Sequence, residues 1–481
     1  MKISFLPEPE LDFGSGLPHV DIRFGLLNYG PLDVDWPEAR KNIRVGVVGI
    51  QKSIAGFQEW LEKCKAGIHA KESRKPNLFP RYPGVSDGTH FKPEFTLDTR
   101  FLRSVNERDL ERIAINTNRD SRVRELATAF DSEIEYLASK KQVDVIVCAL
   151  PFSVCEMQED GVDEKSFSLK VRRIRQRLKI DFHDLLKAMS MKHGIPIQIG
   201  LPTTFGEKAP KKLKERRERT VQDEATRAWN FHVALYYKSG GTPWRLRRES
   251  SIPSACYVGV SFFESLDRSE LTTSIAQVFN ELGEGVILRG AKAQLSKDDR
   301  TPHLSEEDAS KLLLDALGVY RKEHHTLPAR VVVHKTSKIN EQELRGFRSA
   351  ADNLKIEYLD CLSVVPTTTR LFRHGAYPPL RGTLLSLDDN NHVLYTRGSV
   401  DFFETYPGMY VPKPLGLNFV DVQRDPKEVA SEILGLTKMN WNKTQFDSRD
   451  PITVHAARQV GSIMRYLKSD DHYESRYGFY M

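Results

Sequence analysis

Hydrophobic positions along the chain alternate between compact β-branched runs and stretches with the three-to-four-residue spacing of a helix. Residues 43–50 (IRVGVVGI) form the first run, and Ile54, Phe57, Trp60 and Leu61 then recur at helical spacing. Strand followed by helix predicts the first unit of a parallel α/β layer. Residues 1–43 read as loops with one or two short strands, and residues 66–98, without any period, as a long loop. DLERIAINTNRDSRVRELATAFDSEIEYLASKK predicts helix, and VDVIVCALP (143–151) a buried strand stopped by Pro151. HDLLK (183–187) predicts a helix, and Ile195, Ile197 and Ile199 a third short strand containing Gln198. The helix DEATRAWNFHVALYYKSGG ends on Gly240 and Gly241, a sound C-terminal signal.

After residue 256 the texture changes. CYVGVSFFES and GEGVILRG predict strands flanking a short helix, TTSIAQVFNEL. SEEDASKLLLDALGVYRKEH predicts a helix, RVVVHKTS a strand, NEQELRGFRSAADNL a helix and HVLYTRGSV a strand. DPKEVASEILGLTKM and ITVHAARQVGSIMRYL predict late helices. The pattern divides into a three-layer α/β domain over residues 1–225 and a mixed-sheet α/β domain over 226–481. A ligand of the first domain is expected at the carboxyl ends of its strands. Gly46 and Gly49 lack the G-x-G-x-x-G spacing, which argues against a nicotinamide site.

Composition adds little until charge is followed along the chain. The 481 residues carry 71 basic and 65 acidic side chains, a net +6. Residues 170–179 hold six basic and no acidic residues, and residues 208–219 seven basic and two acidic. Such runs are commonly solvated faces, but two of them flanking the HDLLK stretch make a polyanion partner plausible. Five cysteines without a CxxC pair give neither a disulfide framework nor a zinc site. The N-terminus lacks the order of a signal peptide, and no apolar run is long enough for a bilayer. A reducing, cytoplasmic setting without a membrane is therefore expected.

His183 and Lys187 are four apart and share a helix face, with Gln198 on the strand that follows. Lysine supplies charge, histidine a directional donor and the amide either a donor or a carbonyl, the set an oxyanion needs. The same face also reads as an ordinary amphipathic surface. Lys238 reads as a cation at a helix carboxyl end or as a fourth member of the same cage.

Five longer stretches then align with one family: LYYKSGGTPWRL (235–246), RHGAYPPLRGT (373–383), LYTRGSV (394–400), YPGMYVPKPLGL (406–417) and LTKMNWNKTQ (436–445). They resemble the PIWI domain of prokaryotic Argonautes. HVDIRFGLLNYGPLD (19–33) and the His183, Lys187, Gln198 and Lys238 set resemble the short class, which has MID and PIWI domains alone. The resemblance covers essentially the whole chain. It implies an α/β fold in which a Rossmann-like MID domain precedes an RNase H-like PIWI domain.

It further implies that His183, Lys187, Gln198 and Lys238 hold a guide 5′ phosphate. A structural Mg²⁺ ion would be held there by Gln198 and the Met481 carboxylate, with Tyr477, Phe479 and Tyr480 packing the domain junction as the alternative role for the tail. The family's metal-binding carboxylates map onto Ser261, Thr336 and Ala457, so a PIWI domain that binds without cutting is expected, and the chain is not expected to be an enzyme. Glu281 and Glu284 fall near the family's mobile glutamate, and Glu264, Asp267, Asp447 and Asp450 are the other nearby acids. Strand parity turns Glu264 away from Ser261. The partners implied are a guide RNA, a single-stranded target DNA and an APAZ-containing effector of TIR or sirtuin type that depletes NAD in plasmid or phage defence. An active guided nuclease with a displaced acidic set is the alternative, and a nucleotide-binding enzyme built on the first domain a more distant one.

Overall fold

The computed structural model describes residues 1–481 apart from 86–88, 159–178, 209–220, 248–253, 267–270, 280–284, 298, 376–377, 409, 446–447 and 469, with backbone alone for 274–279. Most of both basic runs, together with Asp267, Glu281, Glu284 and Asp447, lie outside the described residues.

The chain opens with three short strands, β1 (Lys2–Phe5), β2 (Leu11–Asp12) and β3 (Pro18–His19), and a helix, α1 (Ile22–Tyr29), which Asp21 caps through Arg23 N and Phe24 N. The helix is a departure from the loop expected here. Its sequence carries Gly25, where a Cβ would fall 2.2 Å from the Phe13 ring, so packing rather than propensity fixes the residue. A four-stranded sheet follows: β4 (Asn42–Gly49), then helix α2 (Gln51–Lys65), β5 (Glu94–Ser104), helices α3 (Glu107–Ile115) and α4 (Arg119–Ser139), and β6 (Val145–Ala149). After the short α5 (Phe152–Met157) come α6 (Phe182–Ser190) and β7 (Ile197–Gly200). The order is β5-β4-β6-β7 and every pairing is parallel. β5 corrects the expectation of a loop through residue 98: its alternation breaks where Val45 pairs Leu97 but Val47 pairs Leu102.

Helix α7 (Glu224–Lys238) runs through the apolar core, with Asp223 as its cap. A cluster containing Val45, Phe57, Trp229, Tyr237, Trp244, Trp441 and Ile452 packs around it, so one core joins both sheets. After β8 (Arg245–Leu246) the chain builds a nine-stranded sheet from β9 (Ala255–Glu264), β10 (Leu271–Phe279), β11 (Gly285–Lys292), β14 (Arg330–Lys335), β15 (Tyr358–Pro366), β16 (Thr383–Ser386), β17 (Asn391–Leu394) and β18 (Leu415–Asp421). A small pair, β12 (Gln294–Leu295) and β13 (Pro302–His303), lies beside it. The order is β1-β16-β17-β18-β15-β14-β9-β10-β11, and β1 is the N-terminal strand, paired Lys2 to Ser386.

β10 overturns the helix expected for TTSIAQVFNEL. Ile275, Val278 and Phe279 fall at helical spacing, but a register shift between Ser274 and Gln277 accommodates that spacing in a strand. Helices α8 (Glu306–His324), α9 (Glu341–Asn353), α10 (Pro426–Leu436) and α11 (Ile452–Met464) flank the sheet. α11 lies close on β9: a Cβ added at Gly259 would meet the Thr453 carbonyl at 2.2 Å. Among the described residues, no helix is long and apolar enough to cross a membrane.

Candidate anion-binding pocket

α6 forms because Asp181 caps it, accepting from Asp184 N at 3.0 Å, and because Phe182, Leu185 and Leu186 bury one face. Gly194, at φ +70°, turns the chain into β7. The apolar spacing carries Lys187 onto the buried side, where it is 1% exposed. Its Nζ is buried with no hydrogen-bond partner among the described residues. Loss of water is the main force on it, lowering its pKa to about 7 against the pull of Asp184. Cys148, on β6, does not balance the charge, since burial pushes its thiol up to about 12.

Lys238 comes from the last turn of α7. It is buried, and its Nζ donates to Ile197 O at 3.0 Å and to Gln198 Oε1 at 2.6 Å. Burial and then the Lys187 charge push its pKa well down. Gln198 Nε2 donates to Ile199 O at 3.2 Å. Thus Lys187, Gln198 and Lys238 are brought together by α6, β7 and α7.

His183 stands one turn before Lys187, with its side chain 43% exposed. Its Nδ1–H donates to Asp184 Oδ1 at 2.9 Å. Desolvation and the Lys187 charge lower its pKa, while Asp184 and Asp181 pull the other way. A partly exposed ring one turn from a buried lysine pair offers donors at two depths, a set suited to a tetrahedral oxyanion.

The tail closes this region. A short turn, Tyr477–Phe479, brings Gly478 against α7, so close that an added Cβ would lie 3.7 Å from Lys238 Cα. Tyr477 and Met481 pack in the core with Tyr237, and Phe479 and Tyr480 with Ala188 and Met191 at the end of α6. The packing role expected of these rings is therefore present. For the metal role expected of Gln198, the atom a cation would use is its carbonyl oxygen, which here accepts from the Lys238 amine. Asp181, His183 and Asp184 present ligand atoms within 4.8 Å of one another, but Lys187 one turn on opposes a second cation.

In the large sheet, Ser261 on β9 and Thr336 just past β14 meet, with the Thr336 hydroxyl donating to Ser261 Oγ at 3.3 Å. Ala457 is buried on α11, one turn beyond Thr453. Glu264 is exposed whereas Ser261 is buried, as strand parity requires. Asp450 is held by Arg449 at 2.8 Å and Arg458 at 2.6 Å, so its charge is already matched. Sequence reasoning missed Asp181, Asp184 and Gln459 around the pocket. The Asp181-x-x-Asp184 spacing is a helix-start signal that marks the first two.

No family model matches the chain, and no curated protein does. Its fold does match solved structures. The structure of Clostridium butyricum Argonaute bound to a guide DNA and a 19-mer target DNA superposes with a TM-score of 0.61 at 14% identity, over 97% of this chain and 53% of that one. Aa-Ago with externally bound siRNA gives 0.61 at 16% identity, over 100% and 56%, and A. aeolicus Argonaute 0.56 at 15%, over 98% and 54%. The chain thus spans about half the length of these relatives. Its mixed α/β fold is that of the MID–PIWI half of Argonaute structures.

Proposed function

We propose that the chain is a guide-directed recognition module, which holds the 5′ phosphate of a guide strand at Lys187, Lys238, Gln198 and His183. The observation that carries this reading is the Lys187 ammonium, buried with no hydrogen-bond partner among the described residues and beside a second buried lysine. Two such groups are costly in each other's company unless an anion joins them. A terminal phosphate supplies close to two negative charges and three strong acceptor oxygens. Lys187 would donate to it from below and His183 from the rim. Lys238 would turn from Gln198, freeing that amide to reorient.

The Clostridium butyricum relative carries a guide DNA and a target DNA. For this chain we propose a guide RNA and a single-stranded target DNA, with base pairing reading the sequence and the protein the backbone. Cutting is not part of the proposal. Two-metal cleavage needs carboxylates to hold its ions, and neutral Ser261, Thr336 and Ala457 occupy the positions where the resemblance puts them. Target binding would instead switch on an APAZ-containing partner of TIR or sirtuin type, through a state that both target and active effector favour.

The test compares 5′-phosphorylated and 5′-hydroxyl guides, RNA and DNA, on Lys187→Ala and Lys238→Ala. The phosphorylated guides are expected to lose about tenfold or more in affinity, and the hydroxyl guides little. Equal losses would reduce both lysines to general backbone contacts.

A further inference from the structure

Asp184 is an acid at the edge of a pocket read as binding an anion, and direct contact with a phosphate would be repulsive. Its Oδ1 instead accepts from His183 Nδ1 at 2.9 Å and from Gln459 Nε2 at 3.3 Å. Burial works against its charge, but the His183 hydrogen bond and the fields of His183 and Lys187 outweigh it and hold the carboxyl below its usual range. Gln459 belongs to α11, the helix laid on β9 of the large sheet. The turn just past the same helix supplies Tyr466, whose hydroxyl accepts from Asp181 N at 2.8 Å. The start of α6 is therefore tied to the second sheet through two side chains.

An imidazole whose Nδ1–H is committed to a carboxylate keeps one tautomer and directs Nε2 away from it. We propose that Asp184 is a positioning residue for the guide phosphate, fixing the His183 ring so that Nε2 faces the ligand, and that Gln459 of α11 holds Asp184 in place. This rests on the phosphate reading above. Around the ring stand Asp181, Asp184 and Lys187 from its own helix, Gln459 and Ser462 from α11, and Tyr466 just past that helix. Among the described residues, the hydrogen bond at Nδ1 is that to Asp184. When Nε2 takes a proton from solvent to donate to the phosphate, the same carboxylate stabilises the imidazolium. The first domain's grip is then complete only with a side chain from the second.

The experiment measures affinities for 5′-phosphorylated and 5′-hydroxyl guides of one sequence, together with the ¹⁵N signals of the His183 ring, in Asp184→Asn, Asp184→Glu, Gln459→Ala and Lys187→Ala. Asp184→Asn is expected to cut the preference for phosphate about tenfold and to mix the ring tautomers, with Asp184→Glu restoring most of both. Gln459→Ala is expected to give a smaller loss in the same direction, and answers the question should Asp184→Asn fail to fold. If Lys187→Ala leaves the preference untouched, the phosphate reading itself has failed. If Lys187→Ala abolishes the preference while Asp184→Asn keeps both preference and tautomer, the positioning role is overturned.

Discussion

Thr336 donates to Ser261 across adjoining parallel strands, so two hydroxyls meet where the family resemblance would place two carboxylates. The pair is neutral, and Ser261 is 4% exposed. Ser261→Asp is expected to cost roughly 2 kcal/mol, because a buried carboxylate there gains no cation. Thermal unfolding in EDTA and in Mg²⁺ checks this. With matched guide and target, the wild-type chain is expected to leave the target whole in Mg²⁺ or Mn²⁺. A guide-directed cut that vanishes in Glu284→Ala would establish the nuclease instead.

Lys187 gives a second prediction, because function and stability pull on it in opposite directions. Lys187→Met keeps the volume and removes a buried amine that has no hydrogen-bond partner among the described residues. It is expected to stabilise the protein by about 2 kcal/mol while abolishing the preference for phosphorylated guides. Denaturant melts and guide binding on the same variant separate the two effects.

The pH dependence of that lysine has a definite sign. Its folded pKa of about 7 lies below the ordinary lysine value of 10.5, so the unfolded chain binds more protons between those limits. Its contribution to stability therefore rises with pH across that window. Guide binding runs the other way, since a phosphate needs the lysine charged. With the phosphate's own second ionisation near 6, affinity should peak at about pH 6–7 and fall above it. Lys187→Arg, always charged, should leave the alkaline limb to Lys238 alone, and a 5′-hydroxyl guide should lack it. Titrations at constant ionic strength give both curves.

Glu8 anchors the N-terminal segment. It meets Arg381 at 2.9 Å and Lys438 at 2.7 Å, and Lys438 also donates to Val20 O. Burial raises its pKa, but the two cations outweigh that and hold it low. Its contribution is thus complete above the unfolded carboxyl value and lost as pH falls through the folded one. Glu8→Gln removes the carboxylate that both cations share and is expected to cost roughly 3 kcal/mol in equilibrium unfolding at neutral pH.

Elements with uninterrupted local signals were legible in the sequence. IRVGVVGI and VDVIVCALP are strands, and the helix carrying His183 and Lys187 lies where its period puts it. What escaped depended on distant partners. β5 loses its alternation at a register shift, β10 carries helical spacing across another, and β15 is a parallel strand between β14 and β18 that no local period marked. The pocket divides the same way. Lys187 and Gln198 sit close in sequence, whereas the Asp184–Gln459 contact joins residues 275 apart, and no spacing rule reaches that far.

The edge strand β1 has a consequence for how the molecule assembles and comes apart. Its register, Lys2 to Ser386 through Phe5 to Thr383, closes a loop of about four fifths of the chain. Such a closure has the highest entropic toll of any in the sheet, and it has little to gain until β16 is itself in position. Ile3 and Phe5 stand exposed on it, so few apolar contacts hold it once docked. In hydrogen exchange its amides should be the last to gain protection during refolding and the first to lose it in mild denaturant, leaving β16 as the new border of the sheet.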